Sequence, residues 1–157
     1  MKKLEFIKPF TCDILVFDII GKHWIQHCLP ENRVVRFLDL RNKYPLLLCV
    51  QFFVRLIHNL ISYDRNLKGY RTQAILSAIF DTINPQVIFT FSDQNILVSR
   101  YASQRKNMRV VMVQGAVRGL YDMMFSSEVR YLPQYFALGK VEETIFRSLG
   151  IKCNSYT

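Results

Sequence analysis

The sequence predicts an α/β domain, with a Rossmann-like, doubly wound and mostly parallel sheet flanked by helices. Short apolar runs bounded by acids or turn residues recur along the chain, as strands buried on both faces require. Stretches with helical spacing separate these runs, the signature of βαβ units. Half of the 157 residues are apolar and only 21% are charged, enough for one core and too few residues for two comfortable domains. The same balance excludes a disordered chain. Six Gly and five Pro exclude collagen-like and linker-like classes.

The elements follow in order. Asp13–Asp18 is a short apolar run between two acids and reads as the first strand, with Gly21 free to turn the chain. After Pro30-Glu31-Asn32, the run Val34–Leu38 is a second strand. The stretch Pro45–Ile61 is nearly all apolar and too long for a strand, which predicts a buried helix opened by Pro45. Asp64–Gly69 is a polar connector. Tyr70–Ile83 places Ala74, Ile75, Ala78, Ile79 and Ile83 at helical spacing and leaves Arg71, Gln73 and Asp81 to solvent. Asn84-Pro85 ends that helix.

Gln86–Phe91, rich in β-branched and aromatic residues, is the clearest strand. Ser92 or Asp93 can cap a helix over Gln94–Ser103. Arg109–Val113 and Tyr135–Leu138 are further strands, and Val141–Leu149 is a helix closed by Gly150. Residues 1–150 therefore form the domain, and 151–157 a tail that starts a linker or a further strand.

The net charge is +9, from 21 Lys and Arg against 12 Asp and Glu. That balance favours partners carrying phosphate, whether nucleotide, nucleic acid or membrane surface, without choosing among them. The four cysteines are scattered, with no C-x-x-C pair, so reduced thiols are expected rather than a zinc site or disulfide framework. The first 20 residues lack the pattern of a secretory signal. The apolar stretch after Pro45 carries Gln51, Arg55 and His58 and is too short to cross a bilayer, so the chain reads as soluble or resting on a membrane.

In doubly wound sheets, ligands bind beyond the carboxyl ends of the strands, where strand order reverses. The residues that follow each expected strand are Asp18–Gly21, Asp39–Arg41, Ser92–Asn95, Gln114–Arg118 and Gly139-Lys140, nearly all polar or glycine. Asp93 fits either a general base for an acceptor hydroxyl or a helix cap. Gln114 and Gly115 either shape a pocket or serve a turn. Arg118, directly after a strand, offers a fixed fork of donors to a phosphate. Arg105, Lys106 and Arg109 belong to the opposite end, as a solvated or membrane-facing patch.

Neither a G-x-G-x-x-G fingerprint nor a P-loop occurs, which removes support for dehydrogenase and P-loop kinase readings. His23, His27 and His58 share no spacing with acids and read as structural or exposed. Trp24 reads as core rather than as a stacking platform. Phe52, Phe53, Phe89 and Phe91 lie in core-like segments rather than among basic residues, which lowers a nucleic-acid reading.

Pro85–Asn95, then Val110–Arg118, then Tyr135–Gly139 with Glu142 and Leu149-Gly150, together resemble the N-terminal half of GT-B-fold glycosyltransferases in surface carbohydrate (polysaccharide) biosynthesis. The resemblance implies one Rossmann-like half of a two-domain enzyme that transfers a sugar from a nucleotide-sugar donor to a glycan or lipid-linked glycan acceptor. It implies Asp93 as the catalytic residue, a base or an orienting group for the acceptor, and Asn95, Gln114, Gly115, Arg118 and Gly139 as substrate-binding residues on the acceptor side. No metal and no cofactor is called for, since no D-x-D pair is present. The donor would be held by a second domain, so this chain alone is expected not to turn over. A cytoplasmic place follows, at the inner face of the membrane where the acceptor is lipid-linked. The alternatives are a nucleotide-sugar 2-epimerase-like domain, and a non-catalytic basic module for anionic lipid or nucleic acid.

Overall fold

A computed structural model describes residues 3–17, 26–27, 29–39, 43–66, 69–91, 96–105, 108–114, 134–148, 150 and 153–155. The strands are β1 (Lys3–Ile7), β2 (Ile14–Phe17), β3 (Val35–Leu38), β4 (Lys43–Leu47), β5 (Val87–Thr90), β6 (Arg109–Val113), β7 (Tyr135–Ala137) and β8 (Cys153–Ser155). The helices are α1 (Val50–Ser62), α2 (Tyr70–Ile83), α3 (Ile96–Gln104) and α4 (Lys140–Ser148). Six strands form one sheet in the order β3-β2-β5-β6-β7-β8, and β1 pairs with β4 in a second, two-stranded sheet. Every pairing is parallel. This is the expected α/β class, a mostly parallel sheet flanked by helices.

Strand order carries the functional information. The chain runs from β2 outward to β3, then returns across β2 to β5 and continues in one direction to β8. Order therefore reverses between β2 and β5, the flavodoxin-type variant of the doubly wound pattern. Right-handed crossovers send every connection made in one direction to the same face of the sheet. The described contacts agree: Phe80 of α2 meets Phe17 of β2 edge-on at 5.5 Å. Ser99 of α3 lies 3.9 Å from Met112 Sδ of β6, and Phe146 of α4 packs on Tyr135 of β7 at 4.7 Å.

The in-register residues of that face, Leu15, Phe17, Ile88, Thr90, Val110, Met112, Tyr135 and Ala137, are all buried. They form the core with Leu76, Ile79, Phe80, Ile83, Val98 and Tyr101. On the other face Val16 and Val113 are buried, while Ile14, Val35, Phe37, Val87, Phe89 and Val111 are half-buried.

The amino ends of three strands are tied by Asp13. Its carboxylate accepts the Val34 N–H at 2.8 Å and lies 3.4 Å from Gln86 Nε2. Its carbonyl accepts the N–H groups of Gln86 and Val87 at 2.9 and 3.1 Å. Helix ends follow local chemistry. Asn84 takes φ 49° after α2 and donates its N–H to Phe80 O, and Gly150 takes φ 80° after α4, where a side chain would be strained.

Several expectations are corrected. The run Pro45–Ile61 is not one buried helix. Pro45 lies in β4, where it pairs with Glu5 of β1, and α1 begins only at Val50 with most of its apolar residues exposed. The apolar run is shared between a strand and a helix, and no turn residue marks the join. Phe53 accordingly lies on the surface and not in the core. The basic N-terminal segment, given no element from sequence, forms β1. Gln73, expected in solvent, is fully buried, because its Nε2 can donate to Leu97 O at 3.0 Å across the α2–α3 seam. Asp81 and Arg105 are not merely solvated; they form an ion pair at 2.8 Å.

Candidate functional site

Because the strands are parallel, their carboxyl ends share one edge of the sheet. Thr90 closes β5 beside Phe17 of β2, at the point where strand order reverses, and it is fully buried. Asp39 follows β3 and is half-buried. Gln114 follows β6, and Leu138 and Gly139 follow β7. This described part of the rim is polar on β3, β5 and β6, while at the opposite edge Asp13 ties the amino ends of β2, β3 and β5.

Gln114 is 2% exposed, unusual for an amide at the end of a strand. Its backbone N–H donates to Phe136 O at 2.9 Å, continuing the β6–β7 ladder one residue past β6. Its side-chain Oε1 accepts the Leu138 N–H at 3.0 Å, a backbone donor that β7 leaves free as the chain turns into α4. Gln114 thus clasps the ends of β6 and β7 and fixes where α4 starts. An apolar residue of similar size would leave the Leu138 N–H without this partner in a partly buried place.

Gly139 stands at the head of α4, and its carbonyl accepts the Glu143 N–H at 3.0 Å. A Cβ here would come within 3.4 Å of Glu142 Oε2, so the glycine leaves room for that carboxylate to fold back. Glu142 and Glu143 occupy the first turn, where the helix dipole favours negative charge. Glu143 is buried and paired with Lys140 at 3.1 Å and Arg147 at 2.6 Å. Two carboxylates at this helix start make it a poor seat for a phosphate. Gly139 acts here on shape rather than on charge.

The structure therefore brings Gln114 and Gly139 to one corner of the rim. Asp93, Asn95, Gly115 and Arg118 lie outside the described residues, as do Asp18, Gly21, Ser92, His23, Trp24 and Lys106. Thr90 was not singled out from sequence, although a hydroxyl inside the apolar run Val87–Phe91 was its signal. Among the described residues no cluster of His, Cys, Asp and Glu is suited to a metal ion. No described helix is long and apolar enough to cross a membrane.

A second polar cluster lies away from the rim. Asp81 of α2 accepts from the Tyr101 hydroxyl at 2.9 Å and from Arg105 through Nε at 3.2 Å and Nη2 at 2.8 Å. Burial, with Asp81 beside it, pushes the Tyr101 phenol well above its ordinary range. The hydrogen bond to Asp81 raises the Arg105 guanidinium further. These groups are fully engaged with one another, so the cluster holds α2 to α3 and is structural. Compared with known proteins, the chain matches no family model, no curated protein and no solved structure.

Proposed function

We propose that the chain is the acceptor-side, Rossmann-like half of a GT-B-like glycosyltransferase acting in surface polysaccharide assembly. The observation that carries the reading is the position of Gln114. A buried amide at the carboxyl end of β6 is held against β7, on the edge where such sheets bind ligands. The sequence adds Asp93 and Asn95 shortly after β5, and Gly115 and Arg118 directly after β6.

In this reading Asp93 takes the proton from the acceptor hydroxyl as that oxygen attacks the anomeric carbon of the donor sugar. The nucleoside diphosphate departs with the electrons of the broken glycosidic bond. Arg118 holds a phosphate or carboxylate of the acceptor through its planar fork. Asn95 and Gly115 line the acceptor, while Gln114 and Gly139 set the spacing of the two loops. The donor requires a second domain, because both walls of the cleft must close on the transition state.

A coupled assay for nucleoside diphosphate release, run over a panel of nucleotide sugars, is expected to show no turnover by this chain alone. Titration with a diphosphate-linked lipid glycan should show binding that Arg118→Ala weakens about tenfold or more, as loss of a charge-assisted pair implies. Arg109→Ala is the matched control, since Arg109 is exposed at the amino end of β6. Arg105 cannot serve, because it is tied to Asp81. Turnover by the isolated chain, or equal effects of the Arg118 and Arg109 changes, would overturn the reading.

A further inference from the structure

Helix α1 carries its apolar side outward. Val50, Phe53, Val54, Ile57 and Ile61 recur at helical spacing and are all exposed, with Val50 at 79% and Ile61 at 72%. Leu48, just ahead of the helix, extends the stripe. The inward side carries buried Phe52 and partly buried Leu56 beside polar groups. There Arg55 Nη1 donates to the Asp81 carbonyl, and Asn59 Nδ2 lies 3.3 Å from Ala74 O. The Tyr63 hydroxyl, just past the helix, sits 2.9 Å from Ser77 Oγ and donates to Gln104 Oε1 at 2.8 Å. An apolar stripe of this length in water marks a contact surface.

The charge around the stripe selects the occupant. Neither β4 nor α1 contains an acid. The acid of β1, Glu5, pairs in register with buried Pro45. Lys8 is exposed just past Ile7, whose carbonyl accepts the Leu48 N–H at 3.0 Å at the start of the stripe, and Arg65 is exposed just past α1. A second copy would set one mostly basic surface against another, with Asp64 as an exposed acid just past α1, and a single helix face falls short of the roughly 800 Å² per partner of a stable dimer. At 13 residues α1 cannot span a bilayer but can lie in its plane. Basic residues beside such a stripe are drawn to anionic headgroups.

We propose that α1 is a membrane-docking helix that seats its Val50–Ile61 stripe in the interface of an anionic bilayer. The proposal goes beyond the glycosyl-transfer reading and stands on a different part of the molecule. Its test therefore uses lipid without any glycan, and either idea can fail alone.

The probe is flotation with phosphatidylcholine vesicles, with or without about one third phosphatidylglycerol. The protein is expected to float with the anionic vesicles, less so at high salt, and weakly or not at all with the neutral ones. V54Q/I57Q/I61Q should lower the apparent affinity about tenfold or more, since three apolar insertions are lost. All three side chains are exposed, so the circular dichroism and melting midpoint should stay those of the parent. Should that variant misfold, Ile61→Gln alone, near the end of the helix, must lower flotation in the same direction. Equal flotation of parent and variants, no binding to anionic vesicles, or a parent dimer that the triple change makes monomeric would each overturn the proposal.

Discussion

Helices α1 and α2 are nearly equal in length, 13 and 14 residues, and lie side by side in the fold, yet they distribute their apolar residues in opposite ways. Eight residues of α2 are buried, among them Leu76, Ile79, Phe80 and Ile83, and its aromatic ring bridges β2 and α3. Only Phe52 and Asn59 of α1 are fully buried, and Arg55 and Asn59 reach carbonyls of α2. Apolar content alone thus does not decide which helix enters a core. What decides is whether the polar residues of the helix find partners on the inner side, as Arg55 and Asn59 do here.

The largest expected effect tests the core half of this contrast. Phe80 touches both Phe17 and Tyr101, so Phe80→Ala should cost about 3–5 kcal/mol in urea unfolding. Phe53→Ala, on the exposed side of α1, should cost about 1 kcal/mol or less. Equal losses at the two positions would erase the distinction between the helices.

A smaller effect probes the seam itself. Asp81→Ala strips the acceptor from a buried phenol and a half-exposed guanidinium, with an expected cost of about 2 kcal/mol. Arg105→Ala should cost less, because that side chain is 41% exposed. The reverse ranking would mean that the pair, rather than the buried Tyr101 hydroxyl, dominates.

The smallest effect is read by pH and acts on the packed side alone. Burial, with Asp13 beside it, pushes the Cys12 thiol up to about 11, from an ordinary value of 9.0. The Tyr101 phenol is raised in the same direction. Both groups hold their protons more tightly in the folded chain than in the unfolded one. The stability they contribute is complete below about pH 9 and is lost as pH climbs toward 11 and beyond. Melting midpoints should fall above pH 9, with a shallower fall between 9 and 11 in Cys12→Ala. A midpoint that climbs with alkalinity would contradict this.

Much of the architecture could be read from residue order, and the places where reading failed share a cause. The bounds of α2 were legible because Gly69 and Asn84 punctuate a run with clear helical period. The strands at Ile14, Val87 and Arg109 were legible because each is short, apolar and bounded. The segment after Pro45 was not, since nothing in an unbroken apolar run shows where pleat gives way to helix. Nor does residue type show that α1 faces outward, because the polar partners of Arg55, Asn59 and Tyr63 lie 14 to 41 positions away. Gln73 was assigned to solvent by type, yet its amide serves a carbonyl 24 residues on. At the rim, Gln114 was legible from its place after a strand. Its clasp on Leu138 was not, for that depends on β7 lying next to β6.

The knot at Asp13 also bears on the time order of folding. One bond reaches 21 residues forward to Val34 and another 73 residues to Gln86, so β2 must wait for a distant segment before it is paired on both sides. Chains dominated by such far-flung pairings form slowly. During synthesis, β2 emerges long before β5 exists and stays half-paired until more than half the protein has left the ribosome.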